Sequence, residues 1–215
     1  MNHQNGIIGV ATGEIGRYRL FDICLARVKK PEGSEIIWQM GVDIPGNYNK
    51  IFQSVLDGDY EWAWILGDDH VFPEDLLMKL LDRNVDIVVP LCSKRQKPFE
   101  PVLNESNNNS GIINGMKKRD WDFLKNKTGI LELNDSNTGN AGMLVRRNVI
   151  ESMHYPWFEN GKFSGGTGCD LWFCEKAKQW RFKLYLDLDN IIGHIIPSVV
   201  WPKNNNGEWS AEVRS

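Results

Sequence analysis

Apolar residues along this chain fall into short blocks separated by polar turns, and the blocks alternate between two periods. Residues 6–11 (GIIGVA), 35–40 (EIIWQM), 62–66 (WAWIL) and 86–90 (DIVVP) are runs of strand length. The third has no polar residue, which predicts a place in the middle of a sheet. Between these runs the spacing turns helical. Residues 14–28 place Tyr18, Phe21, Leu25 and Val28 on one stripe, and residues 47–56 do the same with Ile51, Val55 and Leu56. Thr12-Gly13 and the Pro45-containing stretch 41–46 read as breaks. Pro73 opens a third helix with Glu74 and Asp75 in its first turn, where the helix dipole favours acids, and Leu76, Leu77, Leu80 and Leu81 continue it.

Strands alternating with helices predict an α/β fold around a largely parallel sheet. The alternation is clear over roughly the first 90 residues and then weakens. Residues 94–128 are polar, with Asn107-Asn108-Asn109 among them, and read as a long irregular loop. Strand signals return at 129–133 and 141–145, a helix at 170–180, and a last short strand at 183–186. The polar tail after Pro202 is expected to fray. The 215 residues suit one domain.

Charge and composition narrow the partners. The net charge is −3, and the basic clusters at 27–30 and 117–119 are too short to make a phosphate-tracking face, so no nucleic-acid partner is expected. Cys24, Cys92, Cys169 and Cys174 form no C-x-x-C pair, which removes zinc-ribbon spacing and points to reduced thiols. No signal segment and no apolar run of membrane-spanning length is present. These features predict a chain without a transmembrane segment, placed in the cytoplasm, or in the host cytoplasm for a viral protein. The sequons at Asn104, Asn108, Asn126 and Asn134 carry no meaning in that compartment.

Three segments carry chemistry. In residues 62–77 (WAWILGDDHVFPEDLL) an apolar strand runs into Asp68, Asp69 and His70. Ligands of open α/β sheets bind outside the carboxyl ends of the strands, so these side chains belong on the rim of a crevice. Hard oxygen ligands suit Mg²⁺ or Mn²⁺. The alternative is a solvated turn that caps the next helix. In residues 165–180 (GGTGCDLWFCEKAKQW) a glycine-rich approach delivers Asp170 to a helix start, as a general base or as a simple N-cap. In residues 185–195 (YLDLDNIIGHI) His194 lies among apolar residues, as a core histidine or as a partner of Asp69 in a metal site.

In this order the segments resemble the GT-A glycosyltransferases, especially inverting family 2 and its small viral and bacterial members. The resemblance runs from Ile7 to about Ile196. It implies a Rossmann-type mixed, mostly parallel sheet flanked by helices. Residues 1–93 form the nucleotide-sugar half, 94–200 the acceptor side and 201–215 a tail. Aligned on Val71-Phe72-Pro73, the family's D-x-D falls on Gly67-Asp68-Asp69, so the first carboxylate is replaced by glycine. The resemblance then makes Asp69 and His194 metal ligands, with Asp68 at the metal or the ribose, and Asp170 the base.

By the same resemblance Thr12, Gly13 and Glu14 face the nucleotide, Asn49 and Lys50 stand near a phosphate or base contact, and Lys94 and Arg95 face phosphates. Asn140, Ala141 and Gly142 line the acceptor side. Trp157, Phe158 and Trp172 offer stacking faces for sugars or pack in the core. The implied activity is metal-assisted transfer, by Mn²⁺ or Mg²⁺, from a UDP- or GDP-sugar donor to a carbohydrate or other hydroxyl acceptor. A sugar-nucleotide nucleotidyltransferase ranks lower, because residues 9–13 lack basic side chains. A metal-dependent phosphoesterase needs more ligands than four histidines readily supply. A non-catalytic nucleotide- or glycan-binding domain is the alternative that Gly67 keeps open.

Overall fold

The computed structural model describes residues 3–13, 18–106, 118–160, 168–196 and 199–214. Glu14, the Asn107–Asn109 stretch and the glycines at 165 and 166 fall outside these residues. The first half follows the predicted alternation: β1 (Ile7–Thr12), α1 (Arg19–Arg27), β2 (Glu35–Met40), α2 (Ile44–Asp57), β3 (Trp62–Gly67), the two-residue β4 (His70–Val71), α3 (Leu76–Asp82) and β5 (Ile87–Leu91). Then come β6 (Leu103–Glu105), a 3-10 turn at Trp121–Leu124, β7 (Ile130–Glu132), β8 (Ser136–Thr138), β9 (Met143–Arg146), α4 (Arg147–Ser152) and α5 (Cys169–Gln179). The chain closes with β10 (Leu184–Ile191), β11 (Gly193–Ile195), β12 (Val199–Asn205) and β13 (Glu208–Arg214).

Seven strands form the central sheet in the order β2-β1-β3-β9-β5-β10-β7. β2, β1 and β3 run parallel, as do β5 and β10, while β9 and β7 oppose their neighbours. This is the mixed, mostly parallel α/β sheet expected from the alternation. The buried run of β3 lies between β1 and β9, which is why it carries no polar residue. Pro90 lacks an N–H, yet β5 tolerates it because the ladder with β9 ends at Val88. On one face α2 presses Ile51, Phe52 and Val55 onto the sheet, all fully buried. Each such side chain contributes about 1.5–3 kcal/mol by leaving water. Gly9 permits the approach, since a Cβ there would meet Ile51 Cδ1 at 2.8 Å.

Three expectations are corrected. Helix α2 starts at Ile44 rather than 47, because Pro45 sits in its first turn, where the missing N–H costs nothing. Tyr18 leaves the expected stripe of α1 and is 41% exposed, while Phe21 and Leu25 are buried. The polar tail does not fray. β12 and β13 pair over seven residues around Asn206-Gly207, both at positive φ, and Trp209 is buried. This hairpin continues a second sheet, β13-β12-β11-β4. Among the described residues no helix is long and apolar enough to cross a membrane.

Candidate active site

The parallel strands end on one rim. Thr12 closes β1, Asp68 and Asp69 follow β3, Ser93 and Lys94 follow β5, and His194 lies on the strand after β10. Thr12 Oγ1 donates to Asp68 Oδ2, tying the first two strand ends together. The antiparallel pairing of β4 with β11 sets His70 opposite His194, and Ile195 N donates to Asp69 O at 2.8 Å. The two imidazoles stack with centroids 4.8 Å apart.

Asp69 is the hub. Its Oδ2 lies 3.2 Å from His194 Nε2 and 3.0 Å from an Arg95 guanidinium nitrogen, and its Oδ1 lies 3.2 Å from His70 Nδ1. Burial alone would raise the Asp69 carboxyl. The His194 hydrogen bond and the Arg95 guanidinium charge outweigh it and hold the group well below the ordinary carboxylate range. Burial pushes the His70 imidazole down to about 4, so that ring is neutral near pH 7. Gly67 leaves room for this carboxylate, since a Cβ there would lie 2.9 Å from Asp69 Oδ1.

His194 supplies the informative geometry. Its Nδ1 is 2.9 Å from the Ser93 carbonyl. A carbonyl only accepts, so the hydrogen bonds assign a proton to Nδ1, and Nε2 is the nitrogen turned toward Asp69. The 3.2 Å between Nε2 and Asp69 Oδ2 is bridged by a proton in the hydrogen bond, a place that a metal ion could take instead. A carboxylate oxygen with an imidazole nitrogen is a donor set that fits Mn²⁺. Among the described residues, His70, Cys92 and His194 also each offer an atom within 4.8 Å of the others. Burial drives the Cys92 thiol pKa far up, and Cys92 Sγ donates to Ser93 O at 3.5 Å.

Asp170 stands in the first turn of α5, after Gly168 in the left-handed region. Its Oδ2 accepts the Asn140 N–H at 3.0 Å and its Oδ1 the Leu171 N–H at 2.9 Å. Burial raises its pKa against these bonds. Asn140 Oδ1 in turn accepts the Met143 N–H, fixing the turn into β9. Burial pushes the Tyr48 hydroxyl pKa up, against a hydrogen bond with Asn140. Tyr48 was not among the residues expected from the sequence. An isolated tyrosine on an apolar helix face gives no signal of where its hydroxyl points.

Other expected residues divide. Thr12, Asp68, Lys94 and Arg95 gather at the rim with Asp69 and His194, and Gly13 is exposed beside Thr12. Asn49 does not face the rim: its amide clamps Phe158, donating to the carbonyl at 2.9 Å and accepting the N–H at 3.0 Å. Lys50 is exposed on α2. Trp157 is a core residue, its Nε1 donating to Ile150 O and Met153 O, and Phe158 stacks on Phe173. Neither offers a face to a sugar. Ala141 is buried, and Gly142, at φ +79°, accepts from Trp64 Nε1, so both shape the turn behind Asn140. Trp172 is half-buried two residues beyond Asp170.

No family model and no curated protein matches the sequence. Among solved structures the chain is similar to A197 from STIV, with a TM-score of 0.61 and 15% identity over 98% of this chain and 94% of that one. It also aligns with S. aureus TarS 1–349, with a TM-score of 0.48 and 10% identity over 86% of this chain and 58% of that one. At 15% identity the likeness to A197 is a likeness of fold.

Proposed function

We propose that this chain is a glycosyltransferase that moves a sugar from a nucleoside-diphosphate sugar to a hydroxyl acceptor. The observation that carries the reading is the Asp69–His194 pair, carboxylate against imidazole nitrogen at 3.2 Å, on the rim where the parallel strands end. Arg95 stands beside it, and Asp170 holds the Asn140 turn that enters β9 at the carboxyl end of β3. The donor's nucleoside end faces Thr12 and Gly13, and its diphosphate faces Arg95. Asp69 and His194, with Asp68 beside them, would hold a divalent ion, Mn²⁺ or Mg²⁺, which would supply positive charge opposite a departing diphosphate.

Asp170 acts as general base. The acceptor hydroxyl gives its proton to the Asp170 carboxylate while its oxygen forms the new bond to the anomeric carbon. The bond from that carbon to the diphosphate oxygen breaks, and the nucleoside diphosphate leaves with the electron pair. A single displacement of this kind inverts the anomeric centre. The raised pKa of Asp170 suits the task, because a more basic carboxylate takes a proton more readily. The Asn140 and Leu171 N–H groups hold both of its oxygens in place.

The test is release of nucleoside diphosphate from UDP- and GDP-sugars, with and without Mn²⁺, by the purified chain. Metal-dependent release that disappears in Asp69→Asn supports the reading. Binding of UDP or GDP with no release under any metal, across a panel of acceptors, would leave a binding domain in its place.

A further inference from the structure

Helix α1 carries two stripes. Phe21 and Leu25 turn inward and are buried. Leu20, Ile23 and Arg27, at i, i+3 and i+7, share the outer face. Leu20 is 44% exposed and Ile23 40%. Beside this stripe opens a pocket of about 410 Å³. Leu20 and Cys24 line it from α1, Val71 from β4, Phe72 and Pro73 from the segment that follows, and Trp201 from β12. No charged side chain enters the lining. The pocket is separate from the catalytic rim. Val71 pairs with Gly193 and His70 with His194, so Val71 faces away from the two histidines across the same small sheet. Val71 and Trp201 close over Gly193, where a Cβ would lie 2.7 Å from one and 2.8 Å from the other.

The charge around this apolar face is positive. Residues 19–30 hold four cations, Arg19, Arg27, Lys29 and Lys30, against one acid, Asp22, in a chain whose net charge is −3. All four cations are exposed. Glu74 answers Lys29 at 2.5 Å, while Arg27 continues the apolar stripe itself. An arginine so placed lays its carbon stem along apolar surface and keeps its guanidinium at a polar boundary. Exposed aliphatic side chains flanked by cations, with an indole beside them, match the boundary of a bilayer with anionic headgroups. A second copy of this chain fits less well, because a two-fold pairing of this face sets the same cations against each other.

We propose that α1 and the pocket beside it dock on an anionic lipid surface. Leu20 and Ile23 enter the acyl layer, the pocket faces that layer, and Arg19 and Arg27 meet the lipid phosphates. At nine residues α1 lies in the boundary and does not cross it. The inference goes beyond the transferase reading and stands without it.

Co-sedimentation of the full chain with vesicles tests the proposal. Vesicles of phosphatidylcholine alone are compared with vesicles of equal parts phosphatidylcholine and phosphatidylserine. Binding to the mixed vesicles is expected to be at least tenfold tighter and to fall as salt is raised. Leu20→Ser/Ile23→Ser and Arg19→Gln/Arg27→Gln change only exposed side chains. Each is expected to weaken binding to the mixed vesicles at least tenfold with the melting temperature unchanged. No binding by the wild type, equal binding to both kinds of vesicle, or full binding by either variant would overturn the proposal. Absence of vesicle binding together with a dimer that Leu20→Ser/Ile23→Ser splits would give this face to a second copy instead.

Discussion

His194 Nε2 faces Asp69 Oδ2 across 3.2 Å while its other nitrogen donates to the Ser93 carbonyl. The pair therefore has an appetite for a cation that neither partner satisfies alone. Removing the carboxylate in Asp69→Asn should cut Mn²⁺ affinity by on the order of 100-fold, at least the roughly 10–100-fold cost of losing an outer-shell partner. The measurement is the shift in thermal midpoint on adding Mn²⁺, which should vanish in this variant and in His194→Ala. An unchanged shift in both would place the ion elsewhere.

Asp170→Asn should lower turnover by about 10²–10⁴-fold, the usual worth of a positioned base, with nucleotide binding unaltered. Retained turnover would remove Asp170 as the base. In the wild type, burial sets the pKa above that of an exposed aspartate, so the acid limb of the rate profile should sit at higher pH than an ordinary carboxylate gives.

The same residue predicts a pH-dependent stability difference. A carboxyl with a raised folded-state pKa contributes stability below its unfolded pKa, about 3.9, and loses it as pH rises through the folded value. Asp170→Asn has no such loss. Its melting temperature should therefore pull ahead of the wild type as pH is raised from about 4 to about 7. A constant difference across that range would contradict the burial argument.

Arg83 and Asp187 make a two-pronged ion pair. Arg83 Nε and a terminal nitrogen meet the fully buried Asp187 at 2.8 and 2.9 Å, and the same nitrogen reaches Asp189 at 2.8 Å. Arg83→Met strands a buried carboxylate and should cost about 3–5 kcal/mol, or about 10 °C in melting temperature for a chain of this size. Adding Asp187→Asn to it should recover part of that loss; an additive further loss would deny the charge argument.

Much of the first half was legible because strand and helix periods there are long and separated. Residues 62–66 advertise a central strand, and the acids after it sit where such strands end. The pairing of His70 with His194 was not legible. It joins segments 124 residues apart through a two-residue strand, too short to leave a period, and His70 looked like a bystander of Asp69. Asn49 misled for the opposite reason, and Trp157 stayed between two readings: a carboxamide or an indole reads the same whether it waits for a ligand or satisfies its neighbours' backbone. The C-terminal hairpin did have a signal, Asn206-Gly207 between alternating residues, hidden by the polarity around it.

That turn gives a further prediction. Gly207 is at φ +91°, its carbonyl accepts the Asn126 N–H at 2.8 Å, and a Cβ there would collide with Asn126 Oδ1. Gly207→Ala should destabilise by about 1–2 kcal/mol, read as a lower urea midpoint with an unchanged slope.

The hairpin also bears on when the protein becomes competent. β11, which brings His194 to Asp69, is stitched on one side to β4 and on the other to β12. A ribosome delivers residues in order, and the early strands are free to pair before the rest of the chain emerges. The Asp69–His194 pair is closed only once residues 193–195 have emerged. A prematurely terminated chain that retains every expected nucleotide contact still lacks His194, so the order of synthesis itself keeps incomplete copies from assembling the centre.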